Sequence, residues 1–221
     1  MTRRPFRTGV LLFSTALLTC AVLFTLSFGK RLDTKIANVY DRLGGDLIVV
    51  PAGARGAAEE FLLENRIKTF YMDAQVLEKV KSYPEVARVT HQTYLTTIPG
   101  ACCGVFDAQV IAFDPRTDFV VKPWLQRAIR RDLGRGEVIV GSAVQEFLDE
   151  LRVEEALLFG KSFPIAGVLE KSGTSLDQAV FIREDDLYDL VREDRVPGEV
   201  RENRISIAFV KLKRGYDPEE V

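Results

Sequence analysis

The sequence predicts an α+β domain that follows one N-terminal transmembrane helix. Residues 8–29 contain no charged side chain, which is typical of a membrane span. After residue 44, segments with strand-like alternation and segments with helical periodicity follow one another in irregular order. Because 47% of the chain is apolar, the residues after the span can bury a real core, as one domain or as two small lobes.

The predicted span is twenty-two residues long. A helix of that length measures about 33 Å, enough for a hydrocarbon core of about 30 Å. A cleaved signal peptide would have a shorter apolar region and a small-residue cleavage site, so a retained anchor is favoured. Three arginines and no acidic residue precede the span. This tail predicts a cytoplasmic N-terminus in the inner (plasma) membrane, with most of the chain outside the cytoplasm.

A helical stalk is predicted to continue the span, because apolar residues recur at nearly helical spacing from Leu32 to Leu43. Gly44 and Gly45 end this pattern, and the apolar run before Pro51 predicts a short strand. The predicted organisation is a cytoplasmic tail, a transmembrane helix, a stalk and an extracytoplasmic domain, at residues 1–7, 8–29, 30–43 and 44–221.

Within the domain, apolar patterns and turn residues predict the remaining elements. Strands are expected at residues 46–50, 86–98, 108–113, 137–140, 179–182 and 204–213, with a hairpin at 156–170. Helices are expected from Asp73 to Ser82, at 122–133 ending before Gly134, from Ser142 as cap to Leu151, and at 183–193. Residues 57–66 fit either a helix or a mobile excursion, and parallel βαβ pieces are compatible with this order.

The last residues of the sequence have the chemistry of a helix start. Asp217 suits an N-cap, Pro218 suits the first helical position, and two glutamates follow. This pattern leads to the expectation that the sequence is a piece of a longer protein.

The usual catalytic motifs are not found. The sequence contains no phosphate-binding G-x-x-x-x-G-K-[ST], no G-x-S-x-G, no H-E-x-x-H, no C-x-x-C and no G-x-G-x-x-G. One histidine in 221 residues argues against His-centred triads, and a net charge of −2 gives no reason to expect nucleic-acid binding. The acidic pair Asp185–Asp186 is expected on a solvated helix. We therefore predict no enzyme activity, no cofactor and no metal in this chain.

The adjacent pair Cys102–Cys103 is the one unusual constellation. It fits a vicinal disulfide or redox-responsive pair, two thiolates that bind a soft metal together with His91 or Asp107, or two small residues packed in a loop. His91 alone is more typical of a sheet-face histidine than of a ligand. Trp124, just after Pro123, suits a hydrophobic plug at a helix start, with contact to a partner as the alternative.

Five segments, in this order and after an uncharged span, resemble ABC-transporter permeases of the MacB/FtsX/LolC type. They are GDLIVVPAGARG near residues 44–56, SYPEVARVTHQTYL at 82–95, FDPRTDFVVKPWL at 113–125, GEVIVGS at 136–142 and FPIAGVLEKSGTSLDQAVFI at 163–182. The resemblance implies a MacB-like extracytoplasmic core domain between a first and a second membrane helix. It also implies an ABC ATPase subunit and a second permease copy as partners, beside the lipid bilayer.

The function that this resemblance implies is mechanical. ATP-driven motion would pass along the stalk to the outer domain, for export, lipoprotein extraction or transmembrane signalling. Two alternatives remain open at this point: a single-pass membrane sensor or binding module, and a thiol redox or metal-handling protein centred on Cys102 and Cys103.

Overall fold

The computed structural model describes residues 9, 12–20, 22, 45–58, 69–96, 108–171 and 175–216. The chain contacts group into two units, Met1–Leu43 and Gly44–Val221. In the first unit, the described residues are helical, and Thr15 and Thr19 donate their hydroxyl protons to the carbonyls of Leu12 and Thr15, at 3.0 and 2.8 Å. Within the described ranges, no helix is both long and apolar enough to cross a membrane. The rest of the predicted span and the predicted stalk lie outside the described residues.

Among its described residues, the second unit contains ten strands, four helices with both ends described, and a helical segment at residues 55–58. The strands are β1 Leu47–Val49, β2 Met72–Asp73, β3 Val86–Thr96, β4 Gln109–Phe113, β5 Val138–Val140, β6 Glu155–Leu158, β7 Lys161–Val168, β8 Ala179–Arg183, β9 Arg204–Ile205 and β10 Ile207–Leu212. The helices are α1 Gln75–Lys81, α2 Lys122–Ile129, α3 Ser142–Leu151 and α4 Glu184–Arg192, with a 3₁₀ turn at Ser175–Gln178.

Eight of the strands form one mixed sheet in the order β1-β10-β3-β4-β8-β5-β7-β6, and β2 pairs with β9. The pairs β4–β8 and β5–β7 are parallel, whereas the other neighbours in the large sheet are antiparallel. Parallel neighbours need crossover connections, and helices in the intervening sequence allow them. A single sheet runs through the unit, so two separate lobes find no support in the described part of the chain.

Both faces of the sheet are covered at its centre. In β4, β5 and β8 the side chains that point to one face and those that point to the other face are both buried. On one face, Val144 and Leu148 of α3 and Leu187 and Leu190 of α4 pack into the same core as Val180. On the opposite face lie α2 and the large side chains that alternate with that core, namely Ile111, Phe113, Ile139 and Phe181.

Two glycines allow close approach between these layers. A Cβ at Gly167 in β7 would overlap the Ile129 side chain of α2, and one at Gly141 would overlap the backbone oxygens of Leu176 and Asp177. Gly141 has φ −71°, which any residue can adopt, so contact and not backbone conformation demands glycine there.

Most predicted elements occur, with several differences. Helix α2 ends at Ile129 and not near residue 133, because Arg130 takes the left-handed conformation with φ 55°. Ser142 does not cap α3; the N-cap is Gly141, without a side-chain hydrogen bond. The predicted strand 204–213 is divided into β9 and β10. The short pair β2–β9 was not predicted.

Other expectations hold. Val76, Leu77 and Val80 of α1 pack toward the sheet. Asp73 is not the N-cap that its residue type predicts, because the N-cap of α1 is Ala74, without a side-chain hydrogen bond; the Asp73 carboxylate accepts the Gln75 amide proton at 2.8 Å. Residues 55–58 are helical; residues 57 and 58 belong to the segment that fits either a helix or an excursion, and the rest of that segment lies outside the described residues. The predicted helix start at 217–220 lies outside the described residues.

Candidate functional site

The first and the last strand of the domain lie side by side. β1 pairs antiparallel with β10, with Leu47 opposite Val210 and Val49 opposite Ala208. β10 in turn lies between β1 and β3. Because the pairing is antiparallel, the segment that precedes β1 and the segment that follows β10 leave the sheet at the same corner.

Asp46 holds this corner together, and we call its contacts with Lys211 and Leu212 the Asp46 clasp. Its Oδ1 accepts a hydrogen bond from the Lys211 ammonium at 2.6 Å, and its Oδ2 accepts one from the Leu212 amide at 2.8 Å. The Asp46 amide donates to the Val210 carbonyl at 2.8 Å. One residue thus fixes the incoming chain to the outgoing strand through both side chain and backbone.

The clasp is partly open to water, with the Asp46 side chain 26% exposed and that of Lys211 49% exposed. Burial pushes the pKa of Asp46 upward, but the hydrogen bonds from Lys211 and Leu212 and the charge of Lys211 outweigh it and lower the pKa. The carboxylate is therefore ionised over the whole physiological range.

The predicted thiol site can be described only in part, since Cys102, Cys103 and Asp107 lie outside the described residues. His91 lies on β3, with Nε2 2.5 Å from Oε1 of Glu184, and the two side chains are 13% and 12% exposed. Tyr188 donates its hydroxyl proton to the same oxygen. Burial, followed by this contact with Glu184, raises the pKa of Tyr188. Through its contact with Glu184, His91 joins strand β3 to helix α4.

Across the described ranges, no group of three or more His, Cys, Asp or Glu side chains could hold a metal ion. The acidic pair Asp185–Asp186 is not the solvated pair that its sequence predicts. Asp186 is 5% exposed and accepts the Gly136 amide proton at 2.9 Å, whereas Asp185 pairs with the Arg183 guanidinium at 2.6 Å. Burial raises the pKa of Asp186.

Asp118 is a buried carboxylate that sequence reasoning missed. It is 3% exposed, and its Oδ1 accepts the amide protons of Val120, Val121 and Lys122 at 3.1, 2.9 and 2.7 Å. Burial raises its pKa, although these amides oppose the rise. The signal in the sequence is an Asp shortly before Pro123, a residue that favours a helix start. Its side chain receives the amides of the turn that leads into α2.

The fold is similar to that of a known transporter region. The crystal structure of the periplasmic region of MacB from Actinobacillus actinomycetemcomitans matches with a TM-score of 0.50 and 11% sequence identity, covering 80% of this chain and 78% of that one. The likeness confirms a MacB-like α+β fold. No protein-family model and no curated protein sequence matches the chain.

Proposed function

We propose that this chain is the N-terminal part of an ABC-transporter permease subunit, with residues 44–221 as its extracytoplasmic domain. The domain transmits ATP-driven motion for export, lipoprotein extraction or signalling across the membrane. ATP hydrolysis belongs to a separate ATPase subunit, and a second permease copy completes the assembly. The chain itself carries no catalytic centre in this proposal.

The observation that carries the proposal is the MacB-like fold of residues 44–221 in a chain that begins with an uncharged apolar segment of twenty-two residues, at 8–29. The corner where β1 and β10 meet supports it further. A domain between two membrane helices needs its incoming and outgoing segments close together, and the Asp46 clasp joins the strands to which those segments lead. Residues 8–29 are the anchor in the inner membrane, with residues 1–7 in the cytoplasm.

The partner is tested by purifying the natural protein from detergent extracts of the cells that make it, followed by quantitative mass spectrometry. An ABC ATPase is expected at a constant ratio to the chain, and cross-linking is expected to yield a dimer of the permease subunit. A preparation that contains the chain without any ATPase, at detergent concentrations that keep other transporters intact, contradicts the proposal.

Topology is tested with a membrane-impermeant maleimide on a variant whose native cysteines are replaced by serine. A cysteine at exposed Lys79 of α1 is expected to react in intact cells or spheroplasts, whereas one at Thr2 is expected to react only after lysis. The reverse pattern, or extraction of the chain by alkaline carbonate, contradicts a membrane-anchored outer domain.

A further inference from the structure

A small open pocket lies between α2, the end of β7 and the 3₁₀ turn. Its volume is about 210 Å³. Trp124, Arg127 and Ala128 line one side, and Val168, Glu170 and Leu176 line the other. The proposed transporter function makes no use of this pocket.

The size of the pocket indicates the size of its occupant. Small-molecule sites usually measure roughly 300–1,000 Å³, so a volume of about 210 Å³ is too small for a typical cofactor or metabolite. One apolar side chain of a partner protein fits it. In protein interfaces a few residues in well-packed pockets carry most of the binding free energy, and Trp and Arg are frequent among them.

Two charged groups of opposite sign line the pocket. The Arg127 guanidinium lies over the Trp124 ring, 5.2 Å from its centroid, and is exposed. Glu170 is exposed on the opposite wall. Within the described part of the chain, neither Arg127 nor Glu170 forms an ion pair with another side chain. Both charges are available to a partner.

The apolar part of the lining is also partly open to water, since Val168 at the end of β7 is 38% exposed. An anionic membrane surface would suit Arg127 but would repel Glu170, which lies across the same opening. A peptide can carry both signs of charge on either side of an apolar residue. Charge complementarity therefore favours a peptide segment over a lipid surface.

We propose that this pocket is a docking site for a partner protein, whose segment inserts one apolar side chain and places an acidic side chain beside Arg127. A basic residue on the other side of the apolar one faces Glu170. This docking does not depend on the transporter role, because a sensor or binding module with the same fold would present the same pocket.

The test uses a phage-displayed nonapeptide library, selected on the full chain in detergent. Trp124 is the only tryptophan of the protein, so its fluorescence reports occupancy of the pocket directly. Enriched peptides are expected to share an apolar residue with an acidic neighbour and to shift the Trp124 emission on binding. We expect Arg127→Glu to weaken them about tenfold or more, as removal of an interface anchor does.

A charge exchange makes the test specific. A peptide whose acidic residue is replaced by lysine is expected to bind the Arg127→Glu chain better than the wild type. Ala128→Leu, which narrows the pocket at an exposed position, is expected to weaken every enriched peptide without lowering the unfolding midpoint. Lys79→Glu on α1, an exposed change of the same charge, is the matched control and is expected to leave binding unchanged.

Three results would overturn the proposal. The first is the absence of enriched peptides, and the second is enriched peptides that bind the Arg127→Glu and Ala128→Leu chains as tightly as the wild type. The third is a Trp124 emission shift caused by phosphatidylglycerol vesicles and abolished by Arg127→Glu, while peptides cause none. Loss of an ATPase partner from the purified protein would leave the docking proposal untouched.

Discussion

The middle of the sheet and its β1–β10 corner differ in what holds them in place. Every residue of β4 and β5 is buried, and so is all of β8 apart from its last residue. In β1, by contrast, Leu47 and Val49 are half-buried and Ile48 is 36% exposed. Apolar burial on both faces stabilises the centre, whereas at the corner a charged clasp of hydrogen bonds is added to the apolar contacts of Leu47 and Val49. The two regions are therefore expected to respond differently to single substitutions.

The largest expected effect is in the centre, at Phe181 of β8, which is 0% exposed. Phe181→Ala removes most of a large buried side chain between the sheet and its cover. We expect the free energy of unfolding to fall by about 3–5 kcal/mol. Chemical denaturation followed by circular dichroism measures it, with Val153→Ala, at a 42% exposed position, as a control that changes little. Equal losses in both variants would refute the contrast between centre and surface.

A smaller effect is expected where the layers meet, at Gly141. Gly141→Ala places a methyl group against the backbone oxygens of Leu176 and Asp177, and backbone moves less readily than side chains. Overpacking of this kind costs about 1–3 kcal/mol. Gly198→Ala is the matched control, because no atom lies within 4 Å of a Cβ at that position. Thermal unfolding of the two variants should separate them clearly, and coincident midpoints would contradict the close approach.

Substitutions of Asp118 test the contribution of a buried carboxylate to stability. Asp118→Ala leaves three amides of the α2 start without an acceptor, and we expect a loss of about 1–3 kcal/mol. Asp118→Asn keeps an oxygen for those amides and removes the buried charge, so its stability at neutral pH is expected to equal or exceed that of the wild type. Unfolding at several pH values measures both. A large loss in Asp118→Asn would show that the charge itself is needed.

The pH dependence follows from the raised pKa of Asp118. The folded state holds this proton more tightly than the unfolded state, in which the pKa is 3.8. The contribution of Asp118 to stability therefore increases as pH falls through its folded-state pKa and is complete below the unfolded value. Asp118→Asn should remove this increase.

The smallest effect is expected at the corner, where Asp46→Asn weakens the clasp to Lys211. The group is partly exposed, so we expect a loss of only about 1 kcal/mol, with the centre of the sheet still folded. Hydrogen exchange should be faster in the β1–β10 pair and unchanged in β4 and β8. Lys79→Met, at an exposed position of α1 outside the clasp, is the control. Faster exchange throughout the sheet would contradict the independence of the corner.

Asp46 and Asp118 should respond to acid in opposite directions. The pKa of Asp46 is lowered from 3.8 in the folded state, so its stabilising contribution is complete above that value and is lost as pH falls through the folded-state pKa. Comparison of each variant with the wild type between neutral pH and acid separates the two contributions. If acid changed the contributions of Asp46 and Asp118 to the free energy of unfolding in the same direction, the expected difference between the two carboxylates would be contradicted.

The elements that the sequence predicts best are those with strong local patterns. The alternation in β3, the hairpin of β6 and β7, and the acidic start of α4 all identify structures whose residues lie close together in the chain. The order of the strands could not be read in this way. β4 and β8 are parallel neighbours although sixty-odd residues separate them, and no local pattern specifies that partnership.

The errors have similar causes. The glycines after α2 predict that the helix ends at them. It ends earlier because Arg130, which is not a glycine, takes the left-handed conformation. The charged neighbours of Asp186 predict a solvated side chain, yet successive residues of a helix point in directions about 100° apart, so Asp186 meets the Gly136 amide while Asp185 meets Arg183. The Asp46 clasp was not predicted because its two sides are 165 residues apart. Trp124, for which the sequence favours a plug or a partner contact, lines the pocket between α2 and β7.

The position of β10 has a consequence for how the domain is made. β1 and β3 are not paired with each other, because residues 207–212 lie between them in the sheet. While a ribosome is still synthesising the chain, the earliest strand has no partner until this late segment emerges, and contacts between distant residues form slowly. A nascent chain stopped before residue 207 would expose the edge of β3, where a chaperone or a neighbouring chain could bind.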